Sequence, residues 1–181
     1  MKLMIASDIH GSAYYCEKLI EAYKDERPDK LLLLGDYLYH GPRNDLPDEY
    51  DPKKVAAMLN EISMECIGVR GNCDSEVDQM MLEFPMLADY LPLFIDGLTI
   101  YVTHGHIYNQ KKPLPLKGGI VLYGHTHVPT SEETDGVIYL NPGSASIPKQ
   151  DSKHSYMIYE NGAFCWKDLL DKEIYKEYKV R

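Results

Sequence analysis

Five short polar motifs constrain this chain more than any other feature of its sequence. Each motif contains Asp, His or Asn and directly follows a short apolar run, and most of them include a glycine. In chain order the motifs are Asp8-x-His10, Gly35-Asp36, Gly71-Asn72, Thr103-His104-Gly105 and Gly124-His125-x-His127. Loops at the carboxyl edge of a sheet bring backbone and polar side chains close to a bound group in this way. We therefore expect these seven polar side chains to converge on one site.

The first half of the chain alternates predicted strands with predicted helices. Helix-start signals at Ser12 and at Asp51-Pro52 predict helices that continue to about residues 26 and 62. Short apolar runs typical of strands lie at residues 2–7, 31–34 and 66–69. The second of these runs is wholly apolar, as in a buried parallel strand. This order indicates a β-α-β-α-β unit.

The second half has the pattern of antiparallel hairpins. Reverse-turn dipeptides stand at Asp96-Gly97, Asp135-Gly136 and Asn161-Gly162. The predicted strands around them are 93–95, 98–103, 120–123, 128–134, 137–140, 155–159 and 163–168. Together the two halves predict an α/β fold of two packed sheets flanked by helices, in one domain over residues 1–181.

A further short helix is expected after Asp74. Asp74 has two interpretations, as the N-cap of this helix or as a group that orients neighbours in the site. The methionines Met58, Met80 and Met81 are assigned to the core.

Composition narrows the classes of partner and compartment. Among 181 residues, 28 Asp and Glu outnumber 19 Lys and Arg, which gives a net charge of −9. Because proteins that grip long nucleic acid present a basic face, and no basic cluster is visible, a long nucleic acid partner is not expected. The four cysteines show no C-x-x-C pair, and neither a signal peptide nor an apolar run of about 20 residues is visible. We therefore expect a cytoplasmic protein with reduced thiols and no membrane partner.

The residue types of the motifs predict a metal centre. They combine two carboxylates, four imidazoles and one amide oxygen, a mixed oxygen and nitrogen set that suits divalent ions. One carboxylate can bridge two ions about 3.5–4 Å apart, and hydroxide between such ions can attack phosphorus.

The motif set D-x-H, G-D, G-N-x-D, G-H and G-H-x-H resembles that of the metallophosphoesterase (calcineurin-like phosphoesterase) superfamily. The likeness is greatest to its small phosphodiesterases of the YfcE type and runs from residue 2 to about residue 159. Further segments that carry it are 7–12, His40-Gly41-Pro42-Arg43-Asn44, Arg70-Gly71-Asn72-Cys73-Asp74-Ser75 and Asn141-Pro142-Gly143-Ser144. The resemblance implies a four-layer α/β/β/α sandwich of two mixed sheets.

The resemblance also implies a ligand set and an activity. Asp8, His10 and His127 would hold one metal ion, Asn72, His104 and His125 the other, and Asp36 would bridge the two ions. Asp36, Asn72 and His104 would form the catalytic core of a metal-dependent phosphodiesterase acting on small phosphodiesters. Manganese is the metal expected first, with nickel, zinc, iron(II) or magnesium as alternatives. Because small members of this family often associate, the resemblance also implies a homodimer or a larger homo-oligomer.

Other functions on the same fold stay open at this stage. One is a non-catalytic interaction scaffold of the Vps29 type, and others are a phosphomonoesterase, a phosphoprotein phosphatase or a dinucleoside polyphosphate hydrolase. A scaffold would have missing or replaced ligands, whereas every ligand position is filled here. The enzyme interpretation therefore leads.

Four residues near the motifs have open roles. Arg43 either binds substrate phosphate through its planar guanidinium or is a solvated loop residue. Cys73 stands where many superfamily members carry a histidine thought to protonate the leaving oxygen, and a thiol with a pKa near 8.5 is a poor substitute. Both residues are substrate-binding candidates. Because a thiol is a poor proton donor, we expect a preference for diesters with good leaving groups. His40 and His106 either contact the site or have no direct role.

Overall fold

The computed structural model describes residues 1–180, and within that range the chain forms three α-helices and eleven strands. The helices are α1 (Ala13–Glu26), α2 (Pro52–Asn60) and α3 (Glu76–Met81), and a short 3-10 helix spans Ser63–Glu65. The strands are β1 (Leu3–Ala6), β2 (Lys30–Leu33), β3 (Cys66–Gly68), β4 (Tyr90–Ile95), β5 (Leu98–Thr103), β6 (Gly119–Leu122), β7 (Thr130–Thr134), β8 (Val137–Asn141), β9 (Ser155–Glu160), β10 (Ala163–Asp168) and β11 (Ile174–Lys179).

Six strands form the first sheet, in the order β11-β10-β9-β1-β2-β3. The pairs β1–β2 and β2–β3 are parallel, and β9, β10 and β11 add antiparallel pairs. Helix α1 connects β1 to β2, and helix α2 lies between β2 and β3. The carboxyl ends of β1, β2 and β3 therefore meet at one edge of this sheet.

Five strands form the second sheet, in the order β4-β5-β6-β8-β7. Its central pairs β5–β6 and β6–β8 are parallel, and its two outer pairs are antiparallel. Hairpin turns at Asp96-Gly97 and Asp135-Gly136 close the outer pairs, as the sequence predicts.

The two sheets pack face to face around a shared apolar core. Leu32, Met157 and Trp166 of the first sheet and Ile100 and Leu122 of the second belong to this core. On its other face the first sheet is covered by α1 and α2, whose apolar stripes form a second core with the outward residues of β1 and β2. Alternation along each strand thus supplies both cores.

The outer face of the second sheet carries a small apolar cluster that includes Tyr123 and Tyr139. Leu116, in the connection 104–118 between β5 and β6, packs against this cluster. This connection contains no helix in the part of the chain that the structure describes, so on this face an irregular segment takes the place of the helix layer that the resemblance implies. The predicted α/β sandwich of two mixed sheets is confirmed.

Three details differ from the sequence-based expectations. The assignment of Met80 and Met81 to the core is wrong, since they are 84% and 44% exposed. Helix α3 is short and has no buried residue. Phe84, just beyond its end, is buried in the core instead. Helix α2 ends at Asn60 and not at about residue 62, and the 3-10 helix follows it. Strand β11 was not predicted from the sequence.

Within residues 1–180 the longest helix has 14 residues, and none of the helices is both long enough and apolar enough to cross a bilayer.

Candidate metal centre

The seven predicted ligands all follow strands whose carboxyl ends meet above the two sheets. Asp8 and His10 follow β1, Asp36 follows β2 and Asn72 follows β3, while His104 follows β5 and both His125 and His127 follow β6. Donor atoms form three compact groups there, and within each group all atoms lie within 4.8 Å of one another. The groups are Asp8, His10 and His127; Asp8, Asp36 and His104; and His10, Asp36 and Cys73. Parallel pairing within each sheet is what brings residues so distant in sequence together.

Five of the seven predicted ligands have a strained backbone conformation. The φ angles of Asp8, His10, Asp36, His125 and His127 lie between 51° and 65°, in the left-handed region that residues other than glycine seldom adopt. Such conformations persist only where the surrounding structure enforces them, and they cluster at functional sites.

Two glycines let the loops approach the ligand carboxylates. A Cβ atom on Gly71 would lie 2.1 Å from Asp36 Oδ1, and one on Gly124 would lie 2.8 Å from Asp8 Oδ2. A larger residue at position 71 would displace the Asp36 carboxylate, and one at position 124 would displace the Asp8 carboxylate and Ser7, whose Oγ would lie 2.0 Å from the added Cβ. The glycines of the G-N and G-H motifs are therefore required by close packing.

Backbone carbonyl groups set the orientation of three imidazoles. The Nδ1 atoms of His10, His104 and His127 lie 2.9, 2.7 and 2.6 Å from the carbonyl oxygens of Tyr39, Leu34 and Ile147. A carbonyl oxygen can only accept a hydrogen bond, so Nδ1 carries the proton in each ring. In the neutral rings Nε2 is then a lone-pair donor aimed at the centre.

Lone pairs converge around Asp8. Its Oδ1 atom lies 3.2 Å from His127 Nε2 and 3.6 Å from His10 Nε2, and those two nitrogens are 3.2 Å apart. Asp8 is fully buried, and among the described residues Oδ1 has no hydrogen-bond partner. Burial alone would raise the pKa of Asp8, but the adjacent rings of His10 and His127 outweigh it and lower the pKa. These facing lone pairs fit a bound cation.

A second concentration of donors surrounds Asp36. His104 Nε2 lies 3.4 Å from Asp36 Oδ2 and 3.1 Å from Asn72 Oδ1. Burial opposes the charged imidazole, but the Asp36 carboxylate outweighs it and raises the pKa of His104 to about 9. Burial likewise opposes the charged Asp36, but His104 lowers its pKa. Asp36 also lies within 3.6 Å of His10 Nε2, so this carboxylate stands between the two halves of the centre.

His125 and His106 lie beside His104. Their ring centroids are 5.1 and 5.3 Å from that of His104. Burial, and then the charge on His104, lower the pKa of both rings, that of His106 to about 4. Both rings are thus held neutral, and the main-chain N–H of His125 donates to Asp8 Oδ2 at 3.0 Å.

Asp74 holds the ligand loops together through hydrogen bonds and does not cap α3. Its carboxylate accepts main-chain N–H groups of Gly71, Asp36 and Tyr37 at 2.6, 2.8 and 3.0 Å, which ties the loop after β2 to the loop after β3. The cap of α3 is Ser75, which forms a capping box with Asp78. Of the two sequence interpretations of Asp74, the orienting one is therefore confirmed, because the adjacent serine takes the cap.

A cleft of about 310 Å³ opens onto the centre. Its lining includes five of the seven predicted ligands and Cys73, namely His10, Asp36, Asn72, Cys73, His125 and His127. Arg43 from the loop after β2 and Lys149 from the loop before β9 add two positive charges to its rim. Sequence reasoning named Arg43 and Cys73 but missed Lys149, which follows no motif.

His40 lies outside this set of cleft-lining residues. Its ring packs edge-on against Tyr39 and Tyr50, with centroid distances of 4.8 and 5.1 Å. Its carbonyl oxygen accepts a hydrogen bond from Asn44 Nδ2 at 2.8 Å. In the described part of the chain His40 therefore shapes the loop that carries Arg43.

Residues 1–162 match the calcineurin-like phosphoesterase superfamily domain. The chain belongs to this superfamily. Phosphodiesterase YfcE of Escherichia coli (strain K12) is 42% identical over 181 residues, which cover 99% of this chain and 98% of that protein. Phosphodiesterase MJ0936 of Methanocaldococcus jannaschii is 28% identical over 152 residues, covering 79% of this chain and 83% of that protein.

Two solved structures show the same architecture. A structure of E. coli YfcE, described as a phosphoesterase, superposes with a TM-score of 0.96 at 41% identity and full coverage of both chains. Zinc-complexed Vps29 from Entamoeba histolytica superposes with a TM-score of 0.66 at 20% identity, covering 99% of this chain and 98% of that one. The second comparison shows the calcineurin-like fold alone.

Proposed function

We propose that this protein is a metal-dependent phosphodiesterase that hydrolyses small phosphodiesters at a two-metal centre. The observation that carries the proposal is the convergence of buried carboxylate oxygens and imidazole lone pairs around Asp8 and Asp36. Its support from comparison is the 42% identity to a phosphodiesterase along the whole chain.

We propose the ligand sets that the resemblance implies. Asp8, His10 and His127, whose donor atoms form one compact group, would hold one divalent ion. Asn72 and His104, which lie 3.1 Å apart, would hold the second together with His125, whose ring packs beside His104, and Asp36 would bridge the two ions. Bound divalent ions would activate water for attack on phosphorus and neutralise charge on the non-bridging oxygens. Manganese is the first choice because the resemblance to YfcE-type phosphodiesterases implies it, and the mixed oxygen and nitrogen donors are compatible with several divalent ions.

The chain's own residues would bind and orient the phosphodiester. Arg43 and Lys149 stand on the rim of the cleft and would attract the single negative charge of a diester. Asp74 and the carbonyl groups behind the imidazoles hold the ligands in position before substrate arrives. A Vps29-type scaffold role has no comparable support, because all seven ligand positions are filled.

The experiment that tests this proposal is a metal-reconstitution panel. Metal-stripped protein is assayed with bis(p-nitrophenyl) phosphate and with p-nitrophenyl phosphate, after addition of manganese, nickel, zinc, iron(II) or magnesium in turn. We expect diester hydrolysis that depends on added metal, with manganese most effective, and little monoester hydrolysis. The panel includes Asp36→Asn, which should lose metal-dependent hydrolysis, and Asp135→Asn at an exposed hairpin tip as its matched charge-removing control. Diesterase activity that is unchanged by metal removal, or a dominant monoesterase activity, would contradict the proposal.

A further inference from the structure

Cys73 contributes a sulfur ligand to a donor group that the two-metal assignment does not use. Its Sγ atom, a His10 ring nitrogen and an Asp36 carboxylate oxygen all lie within 4.8 Å of one another. His10 and Asp36 are each 1% exposed, whereas Cys73 is partly exposed to the cleft. These three side chains therefore form a group that an ion can enter from the cleft.

The surroundings of the thiol are shaped to hold the sulfur in this place. The main-chain N–H of Cys73 donates to Asp36 Oδ1 at 2.8 Å, and Asn72 Nδ2 donates to Cys73 Sγ at 3.2 Å. Gly41, with φ of +80°, crosses over the thiol, and a Cβ atom there would lie 3.0 Å from Sγ. The sulfur is thus fixed beside Asp36 by one loop and confined by another.

The chemistry of this group differs from that of the rest of the centre. Thiolate ligands select thiophilic ions such as zinc and cadmium, whereas carboxylate and amide oxygens suit manganese. One sulfur, one imidazole nitrogen and one carboxylate oxygen with an open fourth position is a donor set that suits zinc. The ligand His10 is shared with the adjoining group, where its Nε2 lies 3.6 Å from Asp8 Oδ1, a fully buried oxygen with no hydrogen-bond partner among the described residues.

We propose that Cys73, His10 and Asp36 form a site for a thiophilic divalent ion that overlaps the two-metal centre. Such an ion takes two ligands away from the catalytic metals, so zinc or cadmium bound there inhibits the enzyme. The thiol proton passes to solvent as the sulfur–metal bond forms. The inhibition rests on the proposed phosphodiesterase function, but the binding of the ion does not.

Spectroscopy tests the binding directly. Metal-stripped protein is titrated with cadmium or cobalt(II) while sulfur-to-metal charge-transfer absorption is recorded. We expect the absorption band in the wild type and in Cys165→Ser, a matched control for a partly exposed cysteine on β10, and its loss in Cys73→Ser. A band of equal strength in Cys73→Ser would overturn the proposal.

Alkylation of the wild-type protein provides a test without any substitution. Iodoacetamide labelling of each cysteine is carried out at alkaline pH, because burial and Asp36 raise the pKa of the Cys73 thiol. It is followed by peptide mass spectrometry with no metal, with manganese and with cadmium. We expect cadmium to slow labelling of Cys73 about tenfold or more relative to manganese, because a coordinated sulfur is no longer a free nucleophile. Equal labelling of Cys73 with the two metals would overturn the proposal, while Cys165 reports any general effect of cadmium.

Inhibition links the site to activity. At a fixed manganese concentration, the cadmium concentration that halves diester hydrolysis is measured in each variant relative to its own manganese-supported rate. We expect this concentration to rise about tenfold or more in Cys73→Ser but not in Cys165→Ser, a difference of about 1.4 kcal/mol in binding free energy. An unchanged concentration would contradict the inhibitory role. Absence of diester hydrolysis in every variant, with the spectral result intact, would instead refute the proposed function.

Discussion

The hydroxyl of Ser144 donates a hydrogen bond to the main-chain carbonyl of Asp8 at 2.8 Å, across 136 positions of the chain. The hydroxyl of Ser146 donates to the same carbonyl at 3.0 Å. Both serines are buried, and Asp8 has the unfavourable φ of 59°. The two hydrogen bonds therefore hold Asp8 in the conformation that directs Oδ1 toward His10 and His127.

Removing both hydroxyls should weaken metal binding. In the double variant Ser144→Ala, Ser146→Ala the carbonyl of Asp8 loses two donors, and the backbone can relax away from its left-handed conformation. We expect manganese affinity to fall about 10- to 100-fold, the usual effect of losing groups that orient a metal ligand. Isothermal titration of metal-free protein measures this. Ser131→Ala on β7 is the control, and a loss of thermal stability with unchanged manganese affinity would show that the serines are merely structural.

The ligands around Asp36 should be indispensable for hydrolysis. Asp36→Asn removes the charge between the two halves of the centre, and His104→Ala removes the nitrogen that faces Asp36 and Asn72. We expect either variant to abolish metal-dependent diester hydrolysis while leaving the circular dichroism spectrum largely unchanged. Full activity in either purified variant would refute the ligand assignment.

Asp74 should be more important for stability than its position beside a short helix suggests. Asp74→Ala leaves three main-chain N–H groups without their acceptor in a buried place, and each such group costs about 1–3 kcal/mol. We expect the free energy of unfolding in urea to fall by about 3 kcal/mol or more. Asp78→Ala, which removes only the capping box of α3, should cost about 1 kcal/mol. Equal losses in the two variants would show that Asp74 has no special role.

Much of the architecture follows from patterns local in sequence. The parallel strands β1 and β2 were predicted from short apolar runs, and the hairpins from Asp-Gly and Asn-Gly pairs, because both signals depend on neighbouring residues. Strand β11 was missed because it is a lysine-containing edge strand that is largely exposed, so it lacks a strong apolar pattern. The prediction that Met80 and Met81 are buried was wrong because apolar residues on a short peripheral helix need not be buried.

For the metal centre, too, only part could be predicted. The motifs identify the residues that converge, but they do not identify the groups that orient these residues, because those groups lie far away in the sequence and belong to no motif. The carbonyl oxygen of Ile147 that orients His127, and the hydroxyl of Ser146, have no local sequence signature. The segment Asn141-Pro142-Gly143-Ser144 was noticed by resemblance, yet the contact from Ser144 to Asp8 depends on how β8 and β1 meet in the folded chain.

The rate should depend on how well the leaving group departs without a proton. Cys73 stands where many superfamily members have a histidine, and burial, together with the adjacent Asp36 carboxylate, raises the pKa of its thiol. Such a thiol is a poor proton donor at neutral pH. In a series of aryl phosphodiesters we expect kcat/KM to fall steadily as the pKa of the leaving phenol rises. A flat series would show that another group protonates the leaving oxygen.

The metal-free protein should lose stability at alkaline pH through His104. Burial opposes its charged form, but Asp36 outweighs this and raises the pKa to about 9, above the ordinary value of 6.5. The resulting stabilisation is complete below about pH 6.5 and is lost as pH rises through about 9. The lowered pKa values of Asp8 and Asp36 place their titrations below this range.

We therefore expect the free energy of unfolding of metal-free protein to fall by about 2 kcal/mol between pH 7.5 and 9.5, as measured in urea at each pH. His10, whose pKa is also raised once its partners Asp8 and Asp36 outweigh burial, contributes with the same sign. Comparison with His104→Ala isolates the part due to His104, because that variant keeps His10. If the two proteins lose stability equally over this range, the imidazolium of His104 is not stabilised by Asp36 in the folded chain.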